Sequence, residues 1–168
     1  MKVILIGFMG VGKTSVGKKL AENLDLKFID IDYEIERLEC KTISEIFEYY
    51  GEGYFRKLEN RILKKFLKEE NIVISTGGGI ITNQENCNIL KNEENVIFLD
   101  ATVETIISHL HNEINQRPLL KNVKYLNKKI EDMLSTRYEK YKEVSDLLID
   151  INDKNIDEVI SQILVYIG

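Results

Sequence analysis

The segment Gly7-Phe8-Met9-Gly10-Val11-Gly12-Lys13-Thr14 constrains the fold more than any other part of this sequence. It follows the apolar run Val3 to Ile6 and opens directly into a segment of helical periodicity. A glycine, four residues, then Gly-Lys-Thr between a strand and a helix is the spacing of a phosphate-binding loop. The chemistry requires that spacing: glycines let backbone N–H groups turn inward on the phosphates, and the following helix presents its positive end to them. Gly10, Val11, Gly12 and Ser15 belong to this nucleotide cradle, Lys13 would reach the terminal phosphates, and the Thr14 hydroxyl would ligate Mg²⁺. The competing reading, a glycine-rich turn matching by chance, does not account for the strand before it and the helix after it.

Strand-like apolar runs alternate with longer helix-patterned segments along the rest of the chain, the signature of a mostly parallel sheet covered by helices on both faces. The pattern predicts strands at Lys2–Ile6, Lys27–Asp30, Ile72–Ser75, Val96–Asp100 and Leu147–Asp150. Helices are predicted at 13–23, 33–39, 42–50, 54–69, 84–90, 103–110, 123–142 and 156–166. In the first, Val16, Leu20 and Leu24 make one apolar stripe, with Lys18, Lys19 and Glu22 facing water. In 54–69 the stripe is Phe55, Leu58, Ile62 and Phe66, which leaves Arg56 and Glu59, three apart, together on a neighbouring face. With 168 residues and a single proline, one domain over 1–168 is expected, with neither a linker nor a second module.

The second predicted strand ends in Phe28-Ile29-Asp30-Ile31-Asp32 and the third in Ser75-Thr76-Gly77-Gly78-Gly79. In an open α/β sheet the ligand crevice lies at the carboxyl ends of the strands, the edge that carries the phosphate loop. Two carboxylates and a backbone that a ligand can approach closely are therefore expected beside the phosphates, although one aspartate alone could simply cap the next helix. Only five of the 23 basic residues are arginine: Arg37, Arg56, Arg61, Arg117 and Arg137. Lysine is the default surface cation here, so an arginine marks a place where a planar, bidentate fork is wanted.

Taken in order, these residues resemble the shikimate kinase family over essentially the whole chain. The matching features are the loop at 7–14, Asp30-Ile31-Asp32, Ile43-Ser44-Glu45-Ile46-Phe47 leading to Gly51-Glu52, Phe55-Arg56-Lys57-Leu58-Glu59, Ile74 to Gly79, Arg117-Pro118-Leu119-Leu120, and Arg137 with Tyr141. Two positions depart from the pattern: Cys40 stands where the family usually has glycine, and Glu139 where it usually has proline. The resemblance implies a three-layer P-loop kinase fold with a five-stranded parallel sheet, and ATP- and Mg²⁺-dependent phosphorylation of the 3-hydroxyl of shikimate. It implies that Lys13 contacts the transferred phosphate, that Thr14, Asp30 and Ser75 serve the metal and its water shell, and that Asp32 meets the reacting hydroxyl. It further implies that Arg56 and Arg137 grip the shikimate carboxylate with Glu59 supporting them, that Gly77, Gly78 and Gly79 line the pocket, and that Arg117 acts on the nucleotide from a lid over about 110–123. The substrate-binding segment would run over about 32–60.

Other readings fit the sequence less well. A net charge of -5 argues against nucleic-acid binding, which needs a basic face. No run approaches the length of a membrane span, and the apolar start breaks at Gly7 without a cleavage site. Cys40 and Cys87 suggest neither disulfide nor zinc, so a reduced cytoplasm is expected, and a monomer. Val96 to Asp100 imitates a metal-binding strand end, but Asp100 is read as a strand-end or capping residue. His109 and His111 are read as solvated. A gluconate or nucleoside monophosphate kinase would share the loop and the lid but not the paired aspartates, Phe-Arg-x-x-Glu and triple glycine. A GTPase-like switch would need an Asn-Lys-x-Asp string that the sequence lacks.

Overall fold

The computed structural model describes residues 1–111, 118–120 and 124–168. The order is β1 (Lys2–Ile6), α1 (Lys13–Leu24), β2 (Lys27–Asp30), α2 (Ile31–Glu39), α3 (Ile43–Phe66), β3 (Ile72–Ser75), a 3₁₀ turn (Ile80–Thr82), α4 (Gln84–Leu90), β4 (Val96–Asp100), α5 (Val103–Leu110), α6 (Leu126–Val144), β5 (Leu147–Asp150) and α7 (Ile156–Ile167). The strands form one sheet in the order β2-β3-β1-β4-β5, with every neighbouring pair parallel. β1 lies in the middle, so the loop that follows it opens at the centre of the carboxyl edge, flanked by the ends of β3 and β4.

Alternation along β1 divides the core in two. Val3 and Leu5 point to one face, where they meet Val16 and Leu20 of α1, Ile106 of α5 and Ile160 and Ile163 of α7. Ile4 and Ile6 point to the other, against Ile35 of α2, Phe55, Leu58, Ile62 and Phe66 of α3, and Leu90 of α4. A strand buried on both faces must be apolar at every position, which is why β1, β3 and β4 read as unbroken runs. Each fully buried Leu, Ile or Phe contributes on the order of 1.5–3 kcal/mol. α6 sends Ile130 and Met133 to the first cluster and Tyr141 and Val144 to the second, and so wraps the end of the sheet nearest the site.

The helices predicted at 42–50 and 54–69 run together as α3, broken at Gly51 (φ 80, ψ 167). A capping box starts this helix: Thr42 Oγ1 accepts from Glu45 N, and the Glu45 carboxylate accepts from Thr42 N. Lys19 is not simply solvated, for it pairs with Asp157 of α7 at 2.5 Å. The described residues of the 110–123 segment include core positions. Leu110 and Leu120 are fully buried, and Leu119 packs partly against the same cluster. Arg117 and the other residues at 112–117 and 121–123 lie outside the described residues. Among the described residues no helix is long and apolar enough to cross a membrane.

Candidate active site

The phosphate loop is built as its sequence demands. Gly12 caps α1 at φ 87, a conformation natural only to glycine. No acidic residue stands in the first turn of α1, so the positive end of the helix is left open to an anion. Lys13 Nζ donates to the carbonyls of Gly7 and Phe8, both at 2.8 Å, which holds the ammonium at the rim of the loop. His109, read as solvated, is exposed but not idle: its Nδ1 lies 2.7 Å from the Gly10 carbonyl and ties α5 to the loop. His111 is exposed as expected.

Asp30 caps α2, as the sequence allowed, and also faces the phosphate loop. Its Oδ1 accepts from Tyr33 N at 3.2 Å and caps α2, while its Oδ2 accepts from Thr14 Oγ1 at 2.6 Å. Ser75 stands beside it in register on β3 and is buried. Thr14, Asp30 and Ser75 thus offer oxygen ligands with a single carboxylate. That suits Mg²⁺, which keeps several waters and takes its remaining ligands from phosphates, rather than an ion needing an all-protein cage.

The second cluster lies where α2, α3, α6 and the triple glycine meet. Arg56 Nη1 donates to Glu59 Oε2 at 2.9 Å, and its Nη2 donates to Glu52 Oε1 at 3.0 Å. Glu59 is fully buried, and its Oε1 has no hydrogen-bond partner among the described residues. Burial pushes its carboxyl up to about 7; Arg56 pulls against that shift, and the charge of Asp32 adds to it. Gly77 explains why glycine is needed here: a Cβ on it would sit 2.7 Å from both Asp32 Oδ1 and Glu59 Oε1. A Cβ on Gly79 would come within 2.3 Å of both Nη atoms of Arg56, so the guanidinium lies directly against that backbone. Arg137, buried despite the exposed Glu139 two residues on, lies over the Phe8 ring at 5.7 Å and donates from Nη1 to the Gly78 carbonyl at 3.3 Å.

These clusters line two adjoining cavities. One is walled by Arg56, Glu59, Gly77, Gly79, Arg137, Pro118 and Leu119, the other by the phosphate loop and Lys13. Met9, Thr14, Asp30, Asp32 and Gly78 line both and form the common wall. The second cavity extends to Ile151, Lys154 and Asn155, which the sequence reading missed. Their signal was positional, since the loop after β5 leaves the same carboxyl edge as the other motifs. Asp100 lines neither cavity: it accepts from the Tyr138 hydroxyl at 3.4 Å, burial raises its pKa, and Thr102 rather than Asp100 caps α5. Among the remaining arginines, Arg37 is exposed and pairs with the buried Glu34, and Arg61 is exposed.

Comparison with known proteins agrees with this geometry. The sequence model of the shikimate kinase family matches residues 9–167. A shikimate kinase of Clostridium botulinum (strain Eklund 17B / Type B) is 44% identical over 162 residues, covering 96% of this chain and 94% of the relative. A structure of shikimate kinase from Acinetobacter baumannii in complex with shikimate superposes with a TM-score of 0.94 at 37% identity, over 99% of this chain and 92% of that one. The enzyme from Aquifex aeolicus gives 0.83 at 34% identity, over 99% and 96%. With the ordered motifs, the parallel sheet and near-complete coverage in agreement, the chain belongs to the shikimate kinase family.

Proposed function

We propose that this member of the shikimate kinase family transfers the terminal phosphoryl group of ATP to the 3-hydroxyl of shikimate across the wall shared by its two cavities. The observation that carries the reading is that wall itself. Met9, Thr14, Asp30, Asp32 and Gly78 border both cavities, so a nucleotide on the phosphate loop and an acceptor beside Arg56 and Arg137 would meet there and nowhere else. Phosphoryl transfer is mostly positioning and charge neutralisation, and each part has a candidate. Arg56 and Arg137 hold the carboxylate, Glu59 steadies Arg56, and the Gly77 to Gly79 backbone forms the floor. The acceptor oxygen forms its bond to the γ-phosphorus as the bond to the bridging oxygen of ADP breaks. Asp32 takes the hydroxyl proton, and Lys13 neutralises the phosphate. Arg117, delivered from the 110–123 segment, adds a second cation as charge develops.

Thr14, Asp30 and Ser75 would hold Mg²⁺ and its waters, and the ion when bound supplies charge stabilisation on the phosphates. The base of the nucleotide rests between His109 and the Ile151 to Asn155 loop. The protein works as a monomer in the cytoplasm and engages neither nucleic acid nor membrane. The test is ADP release with ATP and Mg²⁺ across shikimate, gluconate and nucleoside monophosphates. Turnover confined to shikimate and abolished by chelation of the metal is expected. A preference for another acceptor would overturn the reading while leaving the fold intact.

A further inference from the structure

Tyr141 belongs to the motif that contains Arg137, yet the reaction above gives it no part. It is fully buried, stacks on Phe98 with ring centroids 4.9 Å apart, and donates its hydroxyl hydrogen to the Gly78 carbonyl. Burial raises the pKa of that hydroxyl and keeps it neutral, so it retains the hydrogen it donates, while the neighbouring Arg137 pulls against the shift by charge and by a hydrogen bond. Arg137, one turn earlier on α6, donates to the same carbonyl. Two donors from one helix therefore converge on one oxygen of the triple glycine.

The Gly78–Gly79 peptide is the pivot of the site. On one side Gly78 lies against the phosphate loop, where a Cβ would come within 2.8 Å of Met9 N. On the other, Gly79 lies against the Arg56 guanidinium. A peptide is planar, so fixing its oxygen toward α6 also fixes the direction of the Gly79 N–H, which leaves from the opposite edge. A carbonyl held by Arg137 alone would swing with that side chain and draw the guanidinium away from a substrate carboxylate. We propose that Tyr141 is a positioning residue for substrate binding: its hydroxyl anchors the Gly78 carbonyl and so sets both the Gly78–Gly79 peptide and the reach of Arg137. This rests on the assignment of Arg137 to the acceptor carboxylate.

The test is Tyr141→Phe, which keeps the stacked ring and removes only the hydroxyl. The shikimate KM should rise about 5- to 20-fold, the loss of one buried hydrogen bond to a group that orients the ligand. The kcat should stay within about threefold and ATP binding without shikimate should be unchanged, since the hydroxyl touches neither. A lowered melting temperature with a native shikimate KM would mean a purely structural role and overturn the proposal. In a double-mutant cycle with Arg137→Lys the effects on KM should be far from additive; additive effects would also overturn it. If Tyr141→Phe does not fold, Phe98→Leu carries the test, because without the ring stacked on it Tyr141 is no longer held and its hydroxyl leaves the Gly78 carbonyl; the shikimate KM should rise there too, and an unchanged KM counts against the anchor. Wild-type protein that ignores shikimate altogether would instead refute the assigned reaction, so the two failures are distinguishable.

Discussion

Replacing Glu59 by glutamine should change how the stability of this protein depends on pH, and the size of the change follows from where the carboxyl sits. Glu59 is sealed between Arg56, Asp32 and Gly77, and burial raises its carboxyl from 4.5 to about 7 in the folded protein. Below 4.5 both folded and unfolded chains carry the proton, and no dependence arises. Between 4.5 and about 7 the unfolded chain has lost the proton and the folded one keeps it, so folding takes up a proton and stability falls as pH rises. Above 7 both states are ionised and the loss is complete. At about 1.4 kcal/mol per pKa unit, this group alone removes roughly 3 kcal/mol across the window, a large share of the ~5–15 kcal/mol that holds a domain together.

Glutamine has the same shape and can still accept from Arg56, but it cannot titrate. The expected result is therefore a difference that grows with pH. Urea unfolding of both proteins at pH 5, 6, 7 and 8 should show the Glu59→Gln variant gaining on the wild type by about 2–3 kcal/mol over that range, with an unchanged m-value. All other titratable groups are common to the two proteins and cancel in the comparison. A difference that is flat, or that shrinks toward high pH, would refute the idea that Glu59 is held protonated by its burial.

Three further outcomes are expected. Asp32→Asn should cost about 10²–10⁴ in kcat if Asp32 takes the acceptor proton, whereas Asp100→Asn, at a carboxylate that accepts from Tyr138 and lines neither cavity, should leave turnover nearly native; equal losses in two folded variants would mean the carboxylates are misassigned. Arg56→Lys should raise the shikimate KM roughly 10-fold or more, because an ammonium cannot serve Glu59, Glu52 and a substrate carboxylate together, while ATP titrated without shikimate should bind as before. Cys40→Gly should stabilise the protein by about 0.5–1 kcal/mol, measured by the urea midpoint, because Cys40 is held at φ 49, where a Cβ is strained; a loss of stability would show that unfolded-chain entropy outweighs that strain.

What the sequence revealed, and what it hid, divides along one physical line. The strands were legible to the residue: β1, β3 and β4, buried on both faces, are nearly continuous apolar runs, and the more exposed edge strands β2 and β5 are set off by the polar residues that bound them. The phosphate loop was legible because its chemistry is local: spacing alone aims backbone N–H groups and a helix end at one point. Arg56 with Glu59 was legible for the same reason, since helical periodicity puts i and i+3 on one face. Contacts made across the fold were not. Nothing near His109 in sequence announces that it meets Gly10, 99 positions away. Asp100 is legible as a strand-end residue rather than a metal ligand, but its partner Tyr138, which α6 brings to it from 38 positions away, is not.

The two departures from the family pattern follow the same rule. Cys40 matters because the backbone there is left-handed, a local property that glycine in relatives already signals. Glu139 does not disturb α6, because the position is exposed to solvent and pairs with Lys142 on the same helix. Arg137 is fixed instead by Phe8 and Gly78, partners distant in sequence. The site therefore depends on α6 through the carbonyl that Arg137 and Tyr141 share, and substitutions on the outer face of that helix should be far better tolerated than any change that moves Gly78.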